Sequence, residues 1–300
     1  MKNVSSTLFN IAAGVALGFV ITVPLAFKQI NKSERAPVVY EAPALPEQIT
    51  FAGEAAPLDR WDVRERFDRE LLINYYNPGT VLFLMKMANR YFPLISARLK
   101  AAGVPDDFKY LCVAESNLVG NARSKSGAVG YWQFMPGTAP GFGLRVNSEI
   151  DERTDVEQAT DAACKYLKQA YAKFGNWTAA AASYNCGQGG YSNQASFQGT
   201  TNYYDLSLPD ETTRYIFRIL TFKHLLENAS ALGFELKEAE KYTTVPFRTM
   251  TVTASTPNLA AFARANGTTY HMLRLLNPWL HGRSLTVKGN KTYELKLPVR

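Results

Sequence analysis

The chain has few residues of the kinds that hold metals or form cross-links. Among 300 residues there are only three cysteines, Cys112, Cys164 and Cys186, and three histidines, which lie far from the cysteines along the chain. Zinc sites need such ligands at short spacing, and an odd number of cysteines cannot all pair. We therefore expect no metal, no cofactor and at least one free thiol. A disulfide between Cys112 and Cys186 and a pair of buried, inert thiols both remain open.

The chain also lacks runs of charge of one sign. Its net charge of +7 is spread along the sequence, without the basic clusters that bind phosphate backbones, so we expect no nucleic acid partner. A moderate positive charge suits an anionic surface such as cell wall or membrane. With 46% hydrophobic residues over this length, the chain can bury one sizeable core and a second smaller one, which excludes global disorder.

One long uncharged segment is present, at residues 8–27. Twenty such residues are enough to cross the hydrocarbon core of a bilayer. We therefore expect residues 1–32 to be either a retained membrane anchor or a cleaved secretory signal, and the absence of a clear cleavage site favours the anchor. The basic residues are more numerous after the segment than before it, which by the positive-inside tendency would leave the bulk of the chain inside.

Residues 33–58 contain four prolines and few large apolar side chains, which is typical of an extended linker. Helical patterns follow over residues 59–240. They predict helices at 60–74, 79–91, from Pro93 to the residues before Gly103, from Pro105 onward, at 156–174, at 177–184, and after Asp210 as an N-cap. This region is therefore predicted to be predominantly α-helical.

The pattern changes after residue 242. Strand-like segments at 249–253 and 292–297 enclose two short helical segments, Leu259–Ala265 and Tyr270–Leu276. We predict a small β-α-α-β domain over residues 243–300. The fold class is thus mainly α, with a helical domain and a small C-terminal domain that contains two strands.

A carboxylate lies on the apolar face of the helix predicted to begin at Pro105. Phe108, Leu111 and Cys112 occupy positions i, i+3 and i+4 of that face, and its i+7 position is Glu115. Burial keeps a carboxylic acid protonated to higher pH, and a neutral acid is the reagent that protonates a leaving oxygen. Glu115 is therefore either a general acid or a structural residue satisfied by a buried hydrogen bond.

Two blocks downstream of Glu115 are rich in glycine, aromatic and amide residues. They are residues 121–136 and residues 182–187. Glycine lets a backbone approach a ligand closely, while aromatic faces and amides suit sugar rings. A loop with a few core aromatics would have a similar composition, so the blocks alone leave both interpretations open.

Taken in order, these blocks resemble the lytic transglycosylases of the goose-lysozyme-like (SLT) superfamily. Departures from the family pattern are small: Ser183 replaces the usual alanine, and Tyr131 replaces leucine. The matching motifs span about residues 75–230 and are Glu115-Ser116, Ser124, Gly-Ala-Val-Gly-Tyr-Trp-Gln-Phe-Met-Pro at 127–136, Asp-Glu-Arg at 151–153, Ser-Tyr-Asn-Cys-Gly at 183–187 and Glu-Thr-Thr-Arg-Tyr at 211–215.

This resemblance implies a lysozyme-like helical catalytic domain that cleaves the MurNAc-β-1,4-GlcNAc bond of peptidoglycan and leaves 1,6-anhydroMurNAc ends. Glu115 would be the catalytic residue, first as acid and then as base, oriented by Tyr184 and Tyr215. Glu211 is interpreted as structural. The residues implied to bind the sugar or shape its cleft are Ser124, Gln133, Phe134, Met135, Tyr184, Asn185 and Tyr215.

The C-terminal unit resembles a degenerate LysM peptidoglycan-binding module, without the usual Gly-Asp-Thr opening. It is expected either to bind glycan or to serve as a structural cap. The expected partners are peptidoglycan strands and, through residues 8–27, the membrane, on the periplasmic side of a cell envelope.

Two other functions remain open: a hydrolytic muramidase on the same scaffold, and a non-catalytic peptidoglycan-binding scaffold. Ordinary glycosidases use two carboxylates. Because no second acid accompanies Glu115 in the blocks assigned to the cleft, the sequence favours a route in which the substrate's own N-acetyl group stabilises the developing cation.

Overall fold

The computed structural model of the chain describes residues 41–289 and 291–299. The segment predicted as an anchor or signal, residues 1–32, lies outside these ranges, as does the first part of the predicted linker. Within the described ranges, no helix combines the length and the apolar character that crossing a membrane would require.

Helices make up most of the described chain, which confirms the predicted mainly α fold class. The larger domain contains α1 to α7, and the C-terminal domain contains α8 and α9. The helices are α1 (Trp61–Tyr75), α2 (Pro78–Ala102), α3 (Phe108–Ser116), α4 (Val156–Phe174), α5 (Trp177–Cys186), α6 (Gln188–Gln198), α7 (Asp210–Glu227), α8 (Leu259–Ala265) and α9 (Tyr270–Leu276).

Small side chains allow the helices of the larger domain to pack closely around α5. Residues 179–182 of this helix are four consecutive alanines, all fully buried, and α5 packs against α4, α6 and α7. The start of α4 is stabilised by the carboxylate of Asp155, which accepts hydrogen bonds from two backbone N–H groups. Its end is set by Gly175, whose positive φ of 77° closes the helix.

The second and third predicted helices are one helix, α2. Pro93 lies inside it instead of at a break. Proline removes one intrahelical hydrogen bond, but Pro93 is on the exposed side, where water can solvate the carbonyl group that loses its partner. Because Leu84 before the proline and Leu99 after it both pack in the same core, tertiary contacts hold the two halves in line.

The predicted extended linker differs from the structure at its C-terminal end. Residues 50–55 form a hairpin of two short antiparallel strands, β1 (Thr50–Phe51) and β2 (Glu54–Ala55). Phe51 is completely buried, and Ile49 and Leu58 beside the hairpin are buried as well. These apolar residues therefore belong to the core of the helical domain.

The hairpin binds the beginnings of two helices. The carboxylate of Glu54 accepts hydrogen bonds from the backbone N–H groups of Trp177 (2.6 Å) and Thr178 (2.8 Å) at the start of α5. The N–H of Ala52 donates to the carboxylate of Asp107, next to the start of α3, at 2.7 Å. A negative charge at a helix N-terminus satisfies free N–H groups and the helix dipole. The hairpin thereby fixes α3 and α5 relative to each other.

The C-terminal domain has the predicted β-α-α-β order. Strands β3 (Phe247–Val252) and β4 (Tyr293–Pro298) pair antiparallel along their full length, and the two helices between them have the predicted bounds. Its own core contains Leu259, Leu273, Leu280, Leu285, Leu295 and Leu297, which are all completely buried. The alternating burial of β4 matches a strand with one face on this core.

The segment 145–155 of the helical domain packs directly on the C-terminal domain. Ile150 is buried in the core of that domain, and the N–H of Asp151 donates to the carbonyl of Trp279 at 2.9 Å. At Gly282 an added Cβ would lie 2.9 Å from the Cα of Glu149, so glycine is needed there for close packing. The helical domain and the C-terminal domain therefore pack directly against each other through this segment.

Replacing Glu54 with alanine should destabilise the fold. The variant leaves two N–H groups at the start of α5 without their acceptor, and we expect the free energy of unfolding to fall by about 1–3 kcal/mol. Chemical denaturation measures this loss. The exposed Glu65 on α1 provides the matched control, since Glu65→Ala should change stability by less than about 0.5 kcal/mol. Equal effects of the two substitutions would show that the hairpin contact contributes nothing.

Candidate active site

Glu115 lies in the last turn of α3, on the face predicted from the sequence. Phe108, Leu111 and Cys112 of this face are completely buried, and Glu115 at its edge is half-buried. Burial raises the pKa of the Glu115 carboxyl group from 4.5 to about 7. The negative end of the helix dipole acts in the same direction. At neutral pH the group is therefore divided between its acid and its carboxylate.

Three side chains of α7 shift the pKa of the Glu115 carboxyl group. The hydroxyl of Tyr215, which is buried, donates a hydrogen bond to Oε1 of Glu115. This bond and the positive charge of Arg218 lower the pKa of Glu115, whereas the negative charge of Glu211 raises it. These effects are smaller than that of burial, so the carboxyl group keeps a raised pKa.

The loop after α3 is fixed by a glycine and by an amide. Gly130 has a φ of +90°, and a Cβ there would lie 1.8 Å from the carbonyl oxygen of Arg153, so no other residue fits. Gln133 also has a positive φ, 47°. Its Nε2 donates to the carbonyls of Gly130 (2.8 Å) and Ala122 (3.2 Å), which holds this strained residue in place.

The Asp-Glu-Arg motif at residues 151–153 holds the same loop through an ion pair and hydrogen bonds. Arg153, which is 4% exposed, forms a bidentate ion pair with Asp151, with both distances 2.8 Å. Its Nη1 donates to the carbonyl of Phe134 at 3.1 Å. Glu152 is completely buried and accepts from the backbone N–H of Arg145 at 2.6 Å. This motif therefore positions the loop and has no direct contact with Glu115.

A cavity of about 550 Å³ lies beside this loop. Five predicted site residues line it together: Gln133, Phe134, Met135, Tyr184 and Asn185. Further lining residues are Thr138, Phe142, Tyr166, Gln169, Cys186, Gly187 and Gln188. Aromatic faces with a few amides suit a carbohydrate.

The predicted residues Glu115, Ser124 and Tyr215 are not among the residues that line this cavity. Ser124 is exposed in the loop, and its hydroxyl accepts a hydrogen bond from the N–H of Ala128 at 3.0 Å. The hydroxyl of Thr212 on α7 donates to Oδ1 of Asn185 in the cavity wall at 2.7 Å, and Tyr215 of the same helix binds Glu115. The acid and the cavity are therefore connected through α7.

The two predicted tyrosines have different partners. Tyr215 binds Glu115 as expected. The hydroxyl of Tyr184 instead donates to the carbonyl of Trp132 at 2.7 Å, so it holds the loop. The predicted role of Tyr184 in orienting Glu115 thus differs from its observed hydrogen bond.

Sequence reasoning missed that Glu211 belongs to the site. Nδ2 of Asn185 donates to Oε1 of Glu211 at 3.5 Å, and Glu211 is close enough to raise the pKa of Glu115. A second carboxylate therefore accompanies the first. The available signal was its spacing, because Glu211 precedes Tyr215 by four residues and so lies on the same face of α7.

All three cysteines are free thiols. Cys112 and Cys186 do not form the disulfide that the sequence left open. Cys186 lines the cavity, whereas the thiol of Cys112 contacts the carbonyl of Tyr131 at 3.4 Å. Burial raises the pKa of the Cys112 thiol, which makes it unreactive.

Two parts of the chain match the sequence profiles of known families. Residues 93–206 match the sequence profile of the transglycosylase SLT domain. Residues 248–300 match the LysM-like C-terminal domain of soluble lytic transglycosylases. Every predicted site residue except Tyr215 lies inside the SLT match, and α1 and α7 lie outside it.

Individual relatives match parts of the chain. Membrane-bound lytic murein transglycosylase D of Escherichia coli is 29% identical over 209 residues, which are 67% of this chain and 45% of that protein. Peptidoglycan transglycosylase gp16 of Escherichia phage T7 is 38% identical over 102 residues, 33% of this chain and 8% of that protein. This chain thus spans less than half the length of either relative.

Among solved structures, the 70 kDa soluble lytic transglycosylase Slt70 of Escherichia coli matches with a TM-score of 0.42 and 19% identity. The match covers 59% of this chain and 33% of that one.

Ionisation of Glu115 should destabilise the helical domain as the pH rises. Its pKa is about 7 in the folded state against 4.5 as a free group, so the stability due to the protonated form is complete below pH 4.5 and is lost as the pH rises through 7. Glu115→Gln does not ionise. We expect this variant to gain about 3 kcal/mol on the wild type between about pH 4 and pH 8, measured by chemical denaturation.

The matched control is Glu65→Gln, an exposed substitution that should change stability by less than about 0.5 kcal/mol at either pH. A pH-independent difference for Glu115→Gln would contradict the raised pKa.

Proposed function

We propose that this chain is a lytic transglycosylase that cleaves the MurNAc-β-1,4-GlcNAc bond of peptidoglycan strands. The observation that carries the proposal is the Glu115 carboxyl group, which has a pKa of about 7 and is bound by Tyr215 of α7. The same helix binds Asn185 in the wall of a cavity of about 550 Å³ lined by aromatic and amide side chains. General acid–base catalysis is most efficient when the pKa of the group is near the working pH. The match of residues 93–206 to the transglycosylase SLT domain supports the same reaction.

In the first step, the protonated Glu115 donates its proton to the glycosidic oxygen. The bond from that oxygen to C1 of MurNAc breaks, and a cation develops at C1. In the second step, the Glu115 carboxylate removes the proton of the C6 hydroxyl while this oxygen bonds to C1. The products are a free GlcNAc hydroxyl and a 1,6-anhydroMurNAc end. Glu115 ends protonated, and no water is consumed.

The neighbours of Glu115 have separate roles in this mechanism. Tyr215 orients the carboxyl group through its hydrogen bond. The charge of Glu211 favours the protonated form of Glu115. Gln133, Phe134, Met135, Tyr184 and Asn185 are proposed to bind the sugar because they line the cavity, and Ser124 to contact the strand from the exposed loop.

One observation supports a hydrolytic muramidase as the second candidate. Glu211 is an exposed carboxylate close enough to influence the charge of Glu115. A second carboxylate can activate a water molecule, as in inverting glycosidases. Hydrolysis would leave reducing ends in place of anhydro ends, so the products separate the two mechanisms.

The substrate determines the proposed location. Peptidoglycan lies outside the cytoplasmic membrane, so we propose that the described domains act on the periplasmic side of the cell envelope, with residues 8–27 as an anchor. The relative in Escherichia coli is named as membrane-bound. The LysM-like domain is proposed to contact the same glycan strands.

Glu115→Gln should abolish most of the cleavage while glycan binding remains. The substitution keeps the size and hydrogen bonding of the side chain but removes its proton, and we expect turnover to fall by about two orders of magnitude or more. Mass spectrometry of digested peptidoglycan measures the 1,6-anhydroMurNAc ends, and co-sedimentation with intact peptidoglycan measures binding.

Glu65→Gln, an exposed substitution on α1, is the matched control and should retain wild-type turnover. Full activity of Glu115→Gln would overturn the assignment of the acid. Reducing ends from the wild type would select the muramidase, and binding without any cleavage would select the non-catalytic scaffold.

A further inference from the structure

A carboxylate on α1 is also buried in the helical domain. Glu70 is 2% exposed. It follows Val63 and Phe67, both completely buried, at positions i, i+4 and i+7 of the same apolar face. An ionised carboxylate in such a place requires cationic partners. The same spacing of apolar residues and a carboxylate places Glu115 on the apolar face of α3.

The partners of Glu70 come from the part of α7 that contacts Glu115. Oε1 of Glu70 accepts from Nε of Arg214 at 2.6 Å, and its Oε2 lies 4.0 Å from Nε of Arg218. These arginines are one helical turn apart. Tyr215, which binds Glu115, lies between them in the sequence. One turn of α7 thus contacts both carboxyl groups.

Arg218 lies 4.0 Å from Glu70, and it follows Tyr215 by three residues on the same face of α7. Since Tyr215 binds Glu115, this face of α7 lies near both carboxylates, and the positive charge of Arg218 lowers the pKa of Glu115. A guanidinium that turned fully toward Glu115 would form a tighter ion pair there. We propose that Glu70 is a positioning residue that binds Arg214 and Arg218 and keeps Arg218 from pairing with Glu115. This inference rests on the proposed function, in which Glu115 must carry a proton.

The position of the Arg218 guanidinium affects the protonation of Glu115. A nearby cation stabilises the carboxylate and lowers its pKa. If Arg218 paired with Glu115, the pKa of Glu115 would fall from about 7 toward its ordinary range, and little of the acid would be protonated at neutral pH. Glu70 therefore preserves the acid form without contacting the substrate. Through Arg214 it also holds the turn that carries Tyr215.

Other ionisable groups surround both acids. Arg218 is the member common to the two sets. Around Glu115 these groups are Cys112 on α3, Tyr184 on α5, and Glu211, Tyr215 and Arg218 on α7. Around Glu70 they are Arg69 on α1 and Arg214 and Arg218 on α7, while Asp210 and Glu211 act on Arg214.

Glu70→Gln tests the proposal, because it removes the charge and keeps the shape. We expect the alkaline limb of the kcat/KM profile to move to lower pH by about half to one pH unit. Arg218→Gln should move it to higher pH. In the double variant, loss of Glu70 should have no further effect, so its limb should match that of Arg218→Gln. Glu65→Gln, on the same helix, should leave the profile unchanged.

A second measurement does not depend on activity. In protein labelled with ¹³C at glutamate carboxyl carbons, the Glu115 signal is assigned by its loss in Glu115→Gln and titrated by NMR. The same shifts are expected in Glu70→Gln and Arg218→Gln. If the wild type shows no glycan cleavage, the proposed function fails, while the titration still decides whether Glu70 controls Glu115.

Lower activity with an unmoved titration would mean that Glu70 is merely structural and would overturn the proposal. A shift of equal size in the Arg218→Gln background would overturn it as well, since the effect would not pass through Arg218. If Glu70→Gln does not fold, Glu70→Asp keeps the charge but lengthens the gap to Arg218. It should shift the titration downward by a smaller amount, and an unchanged titration would count against the proposal.

Discussion

Glu115 is partly removed from water, so its surroundings determine whether its carboxyl group is protonated. Burial favours the acid, whereas Tyr215 and Arg218 favour the carboxylate, and the balance leaves the pKa of Glu115 at about 7. An acid that can both release and take up a proton near neutral pH suits the proposed reaction. The relative position of α3 and α7 determines this pKa, because Glu115 lies on α3 and both Tyr215 and Arg218 lie on α7.

The supports of the site lie away from the cavity. The hairpin at residues 50–55 holds the beginnings of α3 and α5. Arg153 holds the carbonyl of Phe134 in the loop, and the neighbouring Asp151 binds the C-terminal domain through Trp279. The C-terminal domain is therefore connected to the cavity wall by a short chain of contacts.

Local patterns predicted most helices well. The bounds of α8 and α9 and the ends of α4 follow from periodicity and from capping residues such as Asp155 and Gly175. The continuous helix through Pro93 was not predictable, because contacts on both sides of the proline outweigh the local break. The hairpin and α6 (Gln188–Gln198) were not predictable from local pattern either. The strands of the hairpin are only two residues long, and α6 is rich in glycine and amide residues, so neither has a strong period.

The sequence by itself determined that a carboxylate, Glu115, lies on the buried face of a helix, since helical spacing alone assigns residues to faces. Only the tertiary structure decided which groups meet that carboxylate. Tyr215 is 100 residues away along the chain, and Glu70 acts from another helix through Arg218. Periodicity says which face of an element is buried but not which element packs against it. The charge of the acid therefore depends on contacts that no local pattern contains.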